Sequence, residues 1–123
     1  MKKQQPTLTT LDQRRAQWLK GVLDLCVLAR LRSGAAYGYE LAKALESAGL
    51  GEIKGGTLYP LLNRLERDGL VTTFWRRSDQ GPDRKYYQAT KLGEAELAAA
   101  GNAWTDFAAV VESMLSTLIQ EPK

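Results

Sequence analysis

The chain contains no histidine among its 123 residues and a single cysteine, Cys26. Without histidine, the commonest general base is missing, and no Ser–His or Cys–His pair can activate a nucleophile. One cysteine excludes an intrachain disulfide, and a Cys/His zinc site cannot be assembled. The sequence has no Walker loop and no dinucleotide-binding glycine pattern. These absences predict a protein that is not an enzyme and that needs no metal or cofactor.

Long apolar runs are also absent. No uninterrupted stretch approaches the roughly 20 apolar residues that cross a bilayer. The segment Met1–Pro6 lacks the apolar centre and cleavage site of a secretory signal. We therefore expect a cytoplasmic protein, with room for one domain and one small core.

Positive charge is concentrated in two parts of the chain, although the net charge is only +3. Residues 1–32 contain seven Lys and Arg against two Asp and Glu, and residues 54–91 contain eight against four. Residues 92–123 contain one against five. This asymmetry favours a protein that meets DNA with one end and another partner with the other.

Residues 57–68 have the pattern of an amphipathic helix. The leucines that share one face at helical spacing are Leu58, Leu61, Leu62 and Leu65. We expect Thr57 to be the N-cap, Pro60 to lie in the first turn and Gly69 to end the helix. The other face suits phosphates and base edges, and it carries Thr57, Tyr59, Asn63, Arg64 and Arg67. An ordinary solvated face is the alternative for this helix taken alone.

A β-hairpin is predicted directly after this helix. Residues 71–76 are rich in β-branched and aromatic side chains, which is typical of a strand. Residues 78–83 form a turn cluster, and residues 84–89 supply the returning strand. A polar-faced helix followed by a hairpin with a basic tip is the layout of a winged helix-turn-helix domain. In that layout the helix enters the major groove and the wing lies along the backbone or the minor groove.

The predicted fold class is mainly α with a small β-wing. Residues 10–89 would form the winged helix-turn-helix domain, and residues 90–120 a C-terminal dimerisation helix. Residues 1–9 are polar and contain Pro6, so we expect a flexible arm that is either solvated or in contact with DNA.

Within the domain, a first helix is expected from Thr10 or Asp12 to about Leu31. Its second half is apolar nearly all round, so it must be covered on several sides. The next elements are a loop at residues 33–36, a short helix at residues 37–46 and a linker at residues 49–56. Ile53, in that linker, is expected to add a short strand beside the wing.

The C-terminal helix, with Thr90 as its N-cap, has a seam of small and apolar residues. Their spacing alternates between four and three residues, as in a heptad repeat, and they are Leu97, Gly101, Trp104, Ala108, Val111, Leu115 and Leu118. Phe107 and Met114 widen this seam. A chain of this size has too little domain to cover both the seam and the apolar first helix, which favours a two-fold dimer. Packing of the helix on its own domain is the alternative.

Three ordered motifs resemble the PadR family of transcriptional regulators. They are Tyr-Gly-Tyr-Glu-Leu at residues 37–41, Gly-Thr-Leu-Tyr-Pro-Leu-Leu-Asn-Arg-Leu-Glu-Arg-Asp-Gly-Leu-Val at residues 56–71, and Gly-Pro-Asp-Arg-Lys-Tyr-Tyr-Gln-Ala-Thr at residues 81–90. The short chain with one C-terminal helix looks like the smaller PadR subfamily, which includes multidrug-sensing repressors. Two residues depart from the family pattern: Ala89 stands where a leucine is usual, and Asp83 places an acid at the wing tip.

The resemblance implies a homodimer that binds a two-fold operator in double-stranded DNA, usually as a repressor. It implies that Thr57, Tyr59 and Asn63 lie at the DNA surface and that Arg84 and Lys85 serve the wing. It also implies that some relatives release DNA when a small aromatic or drug-like effector binds near the dimer interface.

The residues predicted to contact DNA differ in what they could do. The Tyr59 phenol could donate to a phosphate or cap the apolar face, and Asn63 and Arg64 could pair with a base or, for Arg64, with a phosphate. Tyr86 and Tyr87 alternate across the strand, so only one of them can face the groove. The predicted DNA-binding residues are Lys54, Thr57, Tyr59, Asn63, Arg64, Arg84, Lys85 and Tyr86.

Trp104 is oversized for a seam position. Paired indoles would either line a flat slot for a planar aromatic ligand or fill the dimer core together with Phe107 and Trp18. The predicted dimer interface and effector site comprises Trp18, Val22, Trp104, Phe107, Ala108, Val111, Met114, Leu115 and Leu118.

The function predicted from these patterns is that of a dimeric, sequence-specific DNA-binding regulator, a repressor relieved by an aromatic effector. Two alternatives remain. One is a winged-helix module that binds another protein, and the other is a non-specific architectural DNA binder.

Overall fold

The computed structural model of the chain describes residues 10–119, so the arm predicted at residues 1–9 lies outside the described residues. The elements are α1 (Leu11–Arg32), β1 (Ala36–Tyr37), α2 (Gly38–Leu45), α3 (Gly55–Arg67), β2 (Val71–Arg76), β3 (Arg84–Ala89) and α4 (Lys91–Ile119). A π-helical turn, Glu46–Leu50, follows α2 directly. No helix in this part of the chain is long and apolar enough to cross a membrane.

Helix α1 begins where the sequence provides a cap. The backbone N–H of Gln13 donates to Thr10 Oγ1 at 3.1 Å, and the backbone N–H of Thr10 donates to Gln13 Oε1 at 2.9 Å. This reciprocal pair satisfies two backbone N–H groups at the helix start. The residues that α1 buries are Leu23, Val27, Leu28 and Leu31. The predicted first helix is confirmed, with Thr10 rather than Asp12 as its N-cap.

The sheet is antiparallel, with the strand order β1-β3-β2. Strands β2 and β3 occupy the residues predicted for the hairpin. The third strand was expected at Ile53 and is instead Ala36–Tyr37, which pairs with β3. The prediction of a loop ending at Ala36 is therefore wrong. Ile53 lies outside the sheet, and its side chain is buried in the core. A side chain can pack into the core without its backbone pairing with a strand, so its apolar character did not signal a strand.

Helix α3 begins earlier than predicted. Its N-cap is Lys54, whose carbonyl accepts from the amides of Thr57 and Leu58, each at 2.9 Å. Thr57 is therefore not the N-cap, and Pro60 lies in the second turn instead of the first. The missing proline N–H leaves the carbonyl four residues earlier, at Gly56, without a helical partner. Gly56 is exposed, so water can satisfy that carbonyl.

The C-terminal end of α3 fits its prediction. Gly69 has φ +78°, a left-handed conformation that glycine adopts without a steric penalty. The Leu70 amide then donates to the Leu65 carbonyl at 2.9 Å, which closes the helix. The chain turns directly into β2 at Val71. Only three residues therefore separate the end of α3 from the start of the wing.

The core lies between α1, α2, α3 and the inner face of the sheet. The largest fully buried side chains are Val27, Leu28, Leu31, Leu41, Leu58, Leu62 and Leu65. Each fully buried leucine contributes on the order of 1.5–3 kcal/mol to the hydrophobic stabilisation. The fold is mainly helical with a small three-stranded antiparallel sheet, and the predicted winged-helix class is confirmed.

Helix α4 starts in the domain and then leaves it. The Gly93 amide donates to Thr90 Oγ1 at 3.0 Å, so Thr90 caps the helix as predicted. Leu97 is half-buried and packs against the core. Further along, Trp104 is 44% exposed and Leu118 is 71% exposed. The second half of the helix therefore carries its apolar residues on the surface of the single chain.

Candidate nucleic-acid interface

Helix α3 separates an apolar from a polar face, as its sequence pattern predicted. The buried side chains are Leu58, Leu61, Leu62 and Leu65. The exposed ones include Thr57, Tyr59, Asn63, Arg64 and Arg67. The predicted polar set therefore shares one solvent-facing surface, and the opposite face anchors the helix to the core.

Tyr59 lies at the edge of this surface, against the start of α2. A Cβ atom built on Gly38 would overlap the Tyr59 phenol, so the ring rests directly on the glycine backbone. The side chain is nevertheless 45% exposed. Tyr59 thus packs against the domain and also presents part of its ring to solvent, and its contact with a phosphate stays a prediction.

Arg64 has an acidic neighbour that the sequence analysis missed. Its Nη2 atom, on α3, lies 3.9 Å from Asp24 Oδ2, on α1. The Arg64 and Asp24 side chains are 50% and 39% exposed. Such an exposed pair contributes little stability, but it draws the guanidinium towards α1. One feature of the sequence could have pointed to Asp24: it is the only charged residue in the apolar run between Gly21 and Ala29.

Lys54 precedes the first turn of α3 and is exposed. As the N-cap, it sits where the free backbone N–H groups of the first turn leave partial positive charge. Its ammonium group and the helix dipole therefore add at the same end of α3. This end suits a phosphate group.

The wing places its two predicted basic residues on opposite faces of the sheet. The Arg84 guanidinium lies 4.5 Å from the centroid of the Tyr37 ring on the outer face. Lys85 is half-buried on the inner face, with Nζ 3.5 Å from Glu66 Oε1 and 5.5 Å from the Tyr87 ring centroid. Arg84 is therefore open to a partner, whereas Lys85 is already engaged within the domain.

Tyr86 and Tyr87 divide between the two faces, as predicted. Tyr87 is 3% exposed and belongs to the core. Burial raises the pKa of Tyr87, and the neighbouring Tyr59 and Glu66 raise it further, so its phenol stays protonated. Tyr86 is half-buried on the outer face and stacks on Phe74, with ring centroids 5.5 Å apart.

Arg76, at the end of β2, is exposed but not isolated. Its guanidinium lies 4.5 Å from the centroid of the Tyr86 ring. Arg76 pairs with Arg84 across the two strands, so the outer face of the wing carries both guanidiniums over aromatic rings. Cation–π contacts of this kind hold the arginines in place.

A second feature is an open apolar groove between α1 and α4, with a volume of about 610 Å³. Seven of the nine residues predicted for the dimer interface and effector site line it: Trp18, Val22, Trp104, Phe107, Ala108, Val111 and Leu115. The Trp104 and Phe107 ring centroids are 6.0 Å apart. Met114 and Leu118 are exposed but lie outside the groove.

Neither a metal site nor a reactive thiol is evident at residues 10–119. These residues contain no group of three metal-ligating side chains. Burial raises the pKa of Cys26, and the nearby Asp24 carboxylate raises it further. A raised pKa keeps the thiol protonated and unreactive.

Comparison with known proteins agrees with this geometry. The family model described as the transcriptional regulator PadR-like family matches residues 27–99. A PadR family transcriptional regulator from Eggerthella lenta has a crystal structure that superposes with a TM-score of 0.78, at 34% identity over 87% of this chain and 93% of that one.

Two further relatives are a Streptococcus and a Mycobacterium tuberculosis protein. The structure of the Streptococcus transcriptional regulator has a TM-score of 0.70 at 42% identity, over 80% of this chain and 96% of that one. The Mycobacterium tuberculosis transcriptional regulator is 35% identical over 66% of this chain and 74% of its own length. The chain belongs to the PadR-like family of transcriptional regulators, and, as its residues predicted, it is not an enzyme.

Proposed function

We propose that the chain is a dimeric, sequence-specific DNA-binding repressor that a small aromatic molecule releases from its operator. The observation that carries this proposal is the surface of α3. An exposed row of hydroxyl, amide and guanidinium groups stands opposite a buried leucine row, directly beside a basic wing. Phosphates and base edges match the donors of that surface.

In this proposal α3 enters the major groove. Asn63 and Arg64, on the exposed face, read base edges, while Tyr59 and Lys54 contact phosphates. Arg84 binds the backbone beside the wing, and Tyr86 supports it as part of the aromatic cluster on the outer face. Arg64 exchanges its contact with Asp24 for DNA, which the 3.9 Å separation and the exposure of both groups permit.

The dimer is supported by the unpartnered apolar surface of α4. Residues at the seam and its flank remain exposed in the single chain, with Met114 at 70% and Leu118 at 71%. A long helix with such a stripe is stabilised when a second copy covers it. A two-fold dimer would present two copies of α3 to successive major grooves, about 34 Å apart.

The groove beside Trp104 supports the release mechanism. It is lined by indole, phenyl and aliphatic groups from α1 and α4, the same helices that would form the dimer. A planar aromatic molecule bound there would favour one relative position of the two protomers. If that position holds the α3 pair at the wrong spacing, operator affinity falls by a population shift.

The test is a binding titration with the purified full chain. We expect salt-dependent binding to a fragment of DNA upstream of its own gene, with clear preference over scrambled DNA at the same salt concentration. Sedimentation velocity should show a dimer. Equal affinity for the two DNA fragments would indicate a non-specific architectural binder. Absence of DNA binding would favour the other alternative, a winged-helix module that binds another protein.

A further inference from the structure

Glu66 is the only acidic residue in α3, and it faces the wing. We propose that Glu66 is a positioning residue: its carboxylate holds both strands of the wing at a fixed position relative to α3, and this geometry sets the preference for operator over other DNA. The inference rests on the DNA-binding function proposed above, and it adds a residue that does not itself contact DNA.

One carboxylate contacts two different strands. Glu66 Oε2 accepts a hydrogen bond from Thr73 Oγ1 of β2 at 3.1 Å. Glu66 Oε1 lies 3.5 Å from Lys85 Nζ of β3. Thr73 and Lys85 lie on the same face of the hairpin, because Thr73 pairs with Tyr87, which is two residues from Lys85 on β3, and residues two apart on a strand share a face. Glu66 thus spans both strands.

The position of Lys85 is constrained from two directions. Its ammonium group lies 5.5 Å above the ring of Tyr87, which is part of the core. On the other side it meets Glu66, and the two side chains are only 32% and 38% exposed. A partly desolvated pair of this kind is screened less by salt than a surface pair. Lys85 therefore acts within the domain as part of the link between α3 and the wing.

The base of the wing is already anchored, because Val71 and Tyr87 lie in the core and β3 pairs with β1. The Glu66 contacts extend this anchoring towards the tip at residues 77–83, because Lys85 lies beyond Tyr87 on β3. Without them, the part of the hairpin beyond the core would lose its link to α3 through Glu66. Specific DNA binding requires α3 and the wing to fit the duplex at the same time. Non-specific binding requires only positive charge near phosphates. A looser wing should therefore weaken operator binding more than non-specific binding.

Charge alone predicts the opposite result. Removing a carboxylate near a DNA-binding surface reduces repulsion of phosphates, which raises affinity for any sequence. Asp68 offers a matched comparison, because it is an acid two residues away that, among residues 10–119, pairs only with the adjacent Arg67, at 3.7 Å, with both side chains exposed. Its loss removes the same charge from the same end of α3 and leaves the wing untouched.

The experiment compares three variants of the full chain: Glu66→Gln, Thr73→Val and Asp68→Asn. The operator is first defined by footprinting the wild-type protein. Fluorescence anisotropy then measures affinity for the operator and for scrambled DNA of equal length at one salt concentration. Circular dichroism and urea unfolding establish that each variant is folded.

We expect Glu66→Gln to lower the operator-to-scrambled affinity ratio about tenfold, which equals about 1.4 kcal/mol at 25 °C. Thr73→Val, which keeps a strand-forming shape and removes the hydroxyl, should lower the ratio about threefold, since it removes one neutral donor. Asp68→Asn should leave the ratio unchanged. Affinity for scrambled DNA should be equal or higher in both acid variants.

A ratio for Glu66→Gln equal to that for Asp68→Asn would overturn the proposal, because Glu66 would then act only through its charge. If Glu66→Gln does not fold, Thr73→Val decides, and an unchanged ratio in that folded variant overturns the proposal as well. A wild-type protein that does not distinguish operator from scrambled DNA would instead refute the function proposed above, and the role of Glu66 would fall with it.

Discussion

A methyl group added at Gly38 should act on DNA binding through Tyr59. Gly38 is the first residue of α2 and is buried. A Cβ atom there would lie 2.6 Å from Tyr59 Cζ and 2.7 Å from Tyr59 Cε1, closer than packed atoms can approach. The Tyr59 side chain is 45% exposed, so the ring can swing into solvent while the backbone stays in place. Gly38→Ala should therefore displace Tyr59 from the α3 surface without unfolding the domain.

The magnitudes separate an effect on stability from one on binding. Alanine stabilises a helical position over glycine by roughly 0.5–1 kcal/mol, whereas overpacking costs about 1–3 kcal/mol. Because the Tyr59 ring can move, the overpacking cost should fall at the lower end. The free energy of unfolding should change by no more than about 1 kcal/mol. Losing a hydrogen bond from Tyr59 to a phosphate should cost about 1.5 kcal/mol per protomer, or about a hundredfold in operator affinity for a dimer.

The assay is a double-mutant cycle that combines Gly38→Ala with Tyr59→Ala. Operator affinity is measured by anisotropy and stability by urea unfolding for all four proteins. Once Tyr59 is alanine, Gly38→Ala should cause no further loss of operator affinity and should stabilise the domain by about 0.5–1 kcal/mol. The reasoning is refuted if Gly38→Ala weakens operator binding equally in the presence and absence of the Tyr59 ring.

Three further changes test the dimer, the groove and the first helix. Leu115→Glu should convert the dimer to monomers in sedimentation velocity, because the charge would be buried in an apolar interface. Ser113→Glu, on the same helix, should remain dimeric. A Leu115→Glu variant that is still a dimer would contradict the proposed interface. Trp104→Ala should weaken the affinity for a planar aromatic dye, measured by the quenching of indole fluorescence, at least about tenfold. Trp75 lies on the wing, so Trp75→Ala should leave the dye affinity unchanged. Equal dye affinities in the two variants would place the site elsewhere. Thr10→Ala removes the capping box of α1 and should lower the free energy of unfolding by about 1 kcal/mol, and an unchanged urea midpoint would show that the cap contributes nothing.

The elements that the sequence predicted well are those whose period is set locally. The leucines of α3 recur at helical spacing, and all four are buried. The β-branched and aromatic residues after Gly69 form the hairpin at the predicted positions. In both cases, one buried face is enough to determine the element, because a side chain pattern of period 3.6 or 2 fits only one backbone.

The errors occurred where several local choices were acceptable. Thr57 is a good N-cap by residue type, but Gly55 and Gly56 also adopt helical geometry, so the helix starts at Gly55 with Lys54 as its cap. The third strand was assigned to Ile53, whereas the free edge of β3 takes Ala36–Tyr37. Two residues carry too little pattern to signal a strand, since the pairing is formed by the partner strand and not by their own sequence.

The candidate DNA surface shows the same division. Exposure of Thr57, Tyr59 and Asn63 follows from their opposition to the leucine row. The contacts of Arg64 with Asp24 and of Lys85 with Glu66 join residues 40 and 19 positions apart in the chain. No local pattern encodes such pairs, because they depend on how α1 and the wing pack around α3.

The sequence by itself determined the winged-helix class, the polar face of α3, the split between Tyr86 and Tyr87 and the apolar stripe of α4, since each follows from the period at which side chains alternate between solvent and core. Only the tertiary structure decided which charges meet. It brought Glu66 to both strands of the wing and Asp24 to Arg64. These contacts depend on helix and strand positions that the whole core sets at once, so they arise from packing and not from any single stretch of the chain.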